Sequence, residues 1–275
     1  TNVERPGYSM SERKVGDTFE EIFSKTDSRI IVATFASNVH RVQQIINASA
    51  KYGRRVAVLG RSMVNIIGAA AELGYIELPD GVLIDVSEMK RYRPEEITLI
   101  TTGSQGEPMS ALYRMAFSEH DKVVLTDKDL VVLSSSAIPG NEPLVGKIVN
   151  EMYRRGVNVY HDSTVEVHVS GHACQEELKL MQALVRPKYF IPVHGEYRML
   201  QRHAAIATSM GMPEDNAIIL ELGQALELSE DEANITGPIP TGSVMVDGLG
   251  VGDVGNIVLR DRKHLSQDGL IVVVA

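Results

Sequence analysis

A parallel-sheet α/β fold is what this 275-residue sequence predicts, and three observations carry the prediction. From Arg29 onward, short apolar runs alternate with helix-period patterns, the rhythm of βα units. Each run is followed by a turn rich in Gly, Ser or Thr. Apolar residues make up 44% and charged residues 23%, a balance that supports a full core and excludes disorder, collagen and coiled coil. At about 150 residues per domain, the length suggests about two domains.

In order along the chain, residues 30–33 read as a buried strand. Residues 39–52 read as a helix with Val42, Ile45, Ile46, Ser49 and Ala50 on one side. Strand 56–59 and helix 63–73 follow, the helix stopped by Gly74. Strand 97–101 precedes helix 109–117, strand 130–133 precedes helix 144–155, and 157–160 is a further strand. Such alternation predicts a parallel sheet covered on both faces. Near residue 178 the rhythm changes. Residues 188–193 read as a strand and 196–210 as a helix ended by Gly211 and Pro213. The runs 218–220, 225–228, 244–246 and 257–259 read as short strands of hairpins and meanders. The last residues, 270–275, read as a strand cut short, so the chain is expected to be a fragment.

The formal net charge is −9, so a polyanionic partner must be met by a local basic patch. Lys51, Arg54, Arg55 and Arg61 lie within eleven residues that hold no acid, whereas residues 206–236 carry seven acids and no Lys or Arg. The single cysteine, Cys174, excludes an internal disulfide and fits a reducing, cytoplasmic setting. No apolar run reaches the ~18 residues of a membrane helix, and no signal-peptide pattern is present. No membrane association is expected.

The chemistry is expected where strands end. Residues 34–38, 60–62, 102–108, 134–142 and 170–173 are turns that a parallel sheet brings to one edge, where ligands bind. Gly lets a backbone approach closely, Ser and Thr supply hydroxyls, and helix N-termini offer N–H groups to an anion. Helix capping accounts for any one of these turns; together they suit phosphates. None is a dinucleotide or P-loop fingerprint. Five of the eight histidines fall between His161 and His203. His172 sits in a turn and His194 at a strand end, positions that present an imidazole outward for metal ligation or proton transfer. His40, His120, His161, His203 and His264 read as surface residues, and His168 is counted with the candidate substrate contacts. No His-x-His-x-Asp-His cluster and no Cys pair is present, so a complete metal site is not encoded here. Cys174 reads as a small residue in a helix's first turn rather than a nucleophile beside His172.

Taken together, residues 102–108, 134–141, Ser170-Gly171-His172 and Pro192-Val193-His194-Gly195-Glu196-Tyr197-Arg198 resemble bacterial ribonuclease J, in the β-CASP branch of the metallo-β-lactamase-fold nucleases. Residues 10–16 and 252–262 resemble family segments too. The resemblance implies a β-CASP domain over 15–177, preceded at 1–14 by the end of a first metallo-β-lactamase segment. A second such segment would follow over 178–262, then a linker and the start of a C-terminal domain over 263–275. It implies two divalent metals, zinc with manganese as the alternative, most of whose ligands lie outside this chain. His194 would be a metal ligand and His172 the catalytic contact to the scissile phosphate, the two facing each other across the seam between domains. His168, Ser170, Gly171 and Ala173 would bind phosphate. Ser37, Asn38, Gly103, Ser104, Gln105 and Ser135 would line an RNA channel, with Arg54, Arg55, Arg61, Arg186, Lys188, Arg198 and Arg202 as basic candidates around it. The implied activity is hydrolysis of single-stranded RNA, 5′-to-3′ from a 5′-monophosphate and also internally, in RNA processing and decay. Implied partners are a second copy, as homodimer or homotetramer, and an RNA-degradation complex; the fragment alone would be inactive. The rival readings are a non-hydrolytic phosphate- or nucleotide-binding module and an RNA-binding scaffold.

Overall fold

The alternating runs of the first half assemble into one six-stranded, wholly parallel sheet. This is seen in a computed structural model that describes residues 2–247, 250–251 and 255–268. The chain divides into two compact units, Thr1–Leu178 and Lys179–Ala275. In the first, α1 (Arg13–Lys25) precedes β1 (Ile30–Ala33), α2 (Val39–Lys51), β2 (Arg55–Leu59), α3 (Arg61–Glu72) and β3 (Leu83–Ile84). Then come β4 (Ile97–Thr101), α4 (Ala111–Ala116), β5 (Leu130–Leu133), α5 (Glu142–Arg154) and β6 (Asn158–His161). Strand order is β3-β2-β4-β1-β5-β6.

The three central strands are buried along their whole length, which is why they read as unbroken apolar runs. Side chains alternate between two cores, as a period of two requires. Ile30 and Val32 join Phe19, Phe23, Val42, Ile45 and Ile46, from α1 and α2, on one face. Ile31 and Ala33 join Leu112, Met115, Ile148 and Met152, from α4 and α5, on the other. The helices that follow the neighbouring strands β1 and β5 therefore lie on opposite faces. Their loops part at the carboxyl edge and leave the crevice in which open α/β sheets bind ligands. At the amino edge, Arg29 grips Asp129 with two hydrogen bonds of 2.9 and 2.6 Å.

Helix α1 was not expected from the sequence; its Val15, Phe19, Ile22 and Phe23 form the buried stripe. Helix α6 (Gln175–Val185) follows the 170–173 turn, as expected. The 165–169 stretch before that turn is not a strand.

The second unit holds α7 (Tyr197–Ser209), the antiparallel pair β7 (Ala225–Leu228) and β8 (Ala233–Thr236), the short pair β9 (Val246–Asp247) and β10 (Gly250–Val251), and α8 (Asn256–Asp268). Four of the expected strands are corrected. Residues 188–193 and 218–220 form no strands; one parallel bridge, Phe190 to Ala217, is what remains, because Pro192 has no N–H to extend a ladder. The 244–246 run contributes only Val246 to β9. Residues 257–259 lie inside α8, a short apolar run whose period alone does not separate helix from strand. The strand expected at 270–275 and residues 252–254 of the 252–262 segment lie outside the described residues. Among the described residues no helix is long and apolar enough to cross a membrane.

Candidate functional site

The carboxyl edge of the sheet is built by loops that satisfy one another. The backbone N–H of Thr34 reaches the Thr101 carbonyl (3.2 Å) and that of Ser134 the Ala33 carbonyl (2.8 Å), carrying the ladders one residue past the strands. The Thr34 hydroxyl donates to the Ser134 carbonyl at 3.2 Å. Gly103 turns the loop after β4 with φ +106°. A Cβ there would stand 2.4 Å from Ser110 Oγ, so only glycine fits.

Gln105, 2% exposed, ties this loop to the one after β5. Its Nε2 donates to Ser135 Oγ (3.2 Å) and the Ser136 carbonyl (2.9 Å), and its Oε1 accepts from the Ile138 N–H (2.8 Å). Ser135 Oγ donates to the Ser104 carbonyl at 3.2 Å. Gly103, Ser104, Gln105 and Ser135, named from sequence as a channel wall, are buried, and the Gln105 and Ser135 side chains are engaged in bonds between these two loops. Asn38 caps α2 by accepting from the Arg41 N–H at 3.2 Å, while Ser37 is exposed.

The 170–173 turn is held at both ends. Ser134 Oγ donates to the Val167 carbonyl (2.6 Å), fastening the approach to the end of β5. Asn2 Nδ2 donates to Ser170 Oγ (3.0 Å) and to the His172 carbonyl (2.8 Å), and Ser170 Oγ accepts from the His172 N–H (3.2 Å). Gly171 and His172 are exposed and Ala173 half-buried. Glu177 then accepts from the Cys174 N–H (2.8 Å), the Ser9 N–H (2.8 Å) and Ser9 Oγ (2.7 Å). These bonds, that of Cys174 first, hold its carboxyl below the usual range. Cys174 is buried at the start of α6, a packing position and not that of an accessible nucleophile.

Sequence reading missed Arg41. It is 0% exposed and pairs with Glu12 through Nε–Oε1 (2.8 Å) and Nη2–Oε2 (2.6 Å). Its Nη1 reaches the Ser134 carbonyl (2.9 Å) and His168 Nδ1 (2.8 Å). Burial first, then the Arg41 charge, holds the His168 pKa below the ordinary imidazole value. The signal was available: Arg41 lies four residues before Ile45, on the apolar stripe of α2, where a charge needs partners.

In the second unit, His194 is exposed and left-handed, φ +65°, between buried Pro192 and the start of α7. His203, expected at the surface, is half-buried edge-on to Phe190 with ring centroids 4.8 Å apart, and burial lowers its pKa. Among the described residues no three His, Cys, Asp or Glu side chains come together as a metal site. The residues present thus supply one candidate ligand, His194, and do not make up a complete centre. The basic group is also revised. Arg54, 3% exposed, donates to the carbonyls of Thr26, Ser28 and Ile97, and Arg55 donates to the Gly81 carbonyl. Both stand at the start of β2, the amino edge, away from the loops. Arg61 opens α3 at the carboxyl edge and is exposed.

Residues 27–152 match the family described as Ribonuclease J, beta-CASP domain. Residues 157–218 match the Zn-dependent metallo-hydrolase RNA specificity domain. The chain belongs to the ribonuclease J family. It is 46% identical over 275 residues to Ribonuclease J 1 of Streptococcus pyogenes, covering 100% of this chain and 49% of that protein. Against Ribonuclease J2 of Bacillus subtilis it is 45% identical over 273 residues, 99% of this chain and 49% of the relative. Ribonuclease J of Thermus thermophilus is 42% identical over 275 residues, again all of this chain and 48% of the relative. The chain thus spans about half the length of the curated ribonuclease J relatives it matches.

Proposed function

We propose that this chain is the phosphate-holding part of a metal-dependent ribonuclease acting on single-stranded RNA. The observation that carries the reading is the 170–173 turn: Asn2, Ser134 and Glu177 hold it and the start of α6 in place while His172 within it stays exposed. In this reading residues 15–177 are the β-CASP domain, 178–262 belong to the metallo-hydrolase domain, and 263–275 lead into a further domain. His172 donates a hydrogen bond to the phosphate being cut, and Ser170, Gly171, Ala173 and His168 bind a neighbouring phosphate through hydroxyl, backbone and imidazole donors. Gln105, Ser104 and Ser135 set the shape of the adjoining loops without touching RNA. Zinc, or manganese in its place, supplies Lewis-acid polarisation when bound, and among the described residues His194 is the ligand offered to it.

The same reading has the whole protein cut 5′-to-3′ from a 5′-monophosphate as well as internally, as a cytoplasmic homodimer or homotetramer in RNA processing and decay. The test is a pair of variants of the full-length protein. His194→Ala is expected to lower metal content and abolish chelator-sensitive cleavage. His172→Ala is expected to keep the metal and lose about 10²-fold or more in turnover. Equal metal loss in both would refute this division of roles. Binding of 5′-phosphorylated RNA without cleavage by the wild type would favour a non-hydrolytic phosphate-binding module instead.

A further inference from the structure

We propose that Arg41 is the positioning residue of the phosphate edge: its guanidinium holds His168 as a neutral imidazole with the proton on Nε2, a fixed hydrogen-bond donor for a phosphate oxygen. This rests on reading the 170–173 turn as a phosphate site.

A guanidinium carries five N–H donors, no lone pair to accept with, and a proton it does not release. Whatever faces Arg41 Nη1 at hydrogen-bond distance must therefore accept. The Ser134 carbonyl does so at 2.9 Å and His168 Nδ1 at 2.8 Å. An imidazole with a bare Nδ1 is neutral and bears its proton on Nε2. Protonation at Nδ1 would set N–H against N–H and add a second positive charge beside a buried one. The carboxylates near the ring do not offset this. Glu12 is engaged on both oxygens by Arg41, and Asp162 accepts from Ser136.

Among the described residues Nε2 has no hydrogen-bond partner. The preceding residue is fastened to the sheet through the Val167 carbonyl, and the Ser170-Gly171-His172 turn begins two residues later. The Ser134 carbonyl, shared by Thr34 and Arg41, links this set to the loop edge itself. Arg41 touches no substrate in this arrangement; it acts through His168. An imidazole fixed this way donates to phosphate with the same atom on either side of neutral pH.

The experiment uses full-length protein labelled with 15N-histidine, the His168 signals assigned by difference from His168→Asn. The expected result is an unprotonated Nδ1 and a protonated Nε2 from about pH 8 to about pH 5.5, with the Nε2–H signal shifting when a 5′-monophosphorylated oligoribonucleotide is added. A protonated Nδ1, titration near the ordinary value of about 6.5, or an Nε2–H unmoved by the oligonucleotide overturns the proposal. Arg41→Lys supplies a second readout, because a single ammonium cannot bridge Glu12, Ser134 and His168 together. In folded Arg41→Lys protein, kcat/KM should acquire a titration step near 6.5 that the wild type lacks; an unchanged pH profile counts against the proposal. If that variant does not fold, the wild-type spectra decide alone. Should the spectra match while the metal-loaded protein cleaves no RNA, the ribonuclease reading fails and the role of Arg41 stands.

Discussion

Single residues set the geometry of the loop edge, and Gly103 shows how tightly. Its φ of +106° and the 2.4 Å that a Cβ would keep from Ser110 Oγ combine left-handed strain with overpacking. Gly103→Ala is expected to destabilise the first unit by on the order of 2 kcal/mol, read as a lowered denaturation midpoint. Because the displaced loop is the one Gln105 ties to Ser135 and Ser136, RNA affinity should fall with it. The glycine was legible in the sequence as part of a turn; its neighbour Ser110 was not. The same holds for Arg41 and Gln105. Both were visible residues with invisible partners, since Glu12 and Ser135 lie far along the chain.

Among the elements, α6 is the one whose start decides where His172 stands. Its first turn is closed by Glu177, which accepts from the Cys174 N–H and from Ser9 and is held below the usual carboxylate range. A carboxylate with a lowered folded pKa adds stability above its unfolded value, about 4.3, and loses it as pH falls through the folded value. Glu177→Gln should therefore lower the thermal midpoint at pH 7, with the gap to wild type closing below about pH 4. A gap that stays constant with pH would mean the bond contributes through shape alone. The helix itself was expected after the 170–173 turn. The tie from its capping residue back to Ser9, 168 positions away, was not.

For the molecule as a whole, the net charge of −9 means that the proposed RNA binding would rest on a few placed cations. Arg54 is removed from that set because its guanidinium serves three carbonyls at the amino edge. Arg54→Ala should destabilise the fold by about 3 kcal/mol, through carbonyls left unsatisfied, and leave RNA affinity per folded molecule unchanged. Arg61→Ala should do the reverse. Stability should stay within about 0.5 kcal/mol, while RNA binding weakens and its log–log salt slope drops by roughly 0.7. Equal effects of the two variants on RNA binding would contradict this placement.

By itself the sequence determined the parallel sheet, the edge where its loops collect and the outward placement of His172 and His194, because local periodicity and turn composition encode burial and chain direction within a few residues; the family was legible separately, in the resemblance carried by its motifs. Only the tertiary structure decided that Arg54 serves carbonyls while Arg61 stays exposed, that Gln105 is a clamp, and that Arg41 stands behind His168. Those outcomes depend on hydrogen bonds between residues as far apart as Asn2 and Ser170. Their cause is the strand order, which brings together at one edge groups whose separation along the chain carries no pattern.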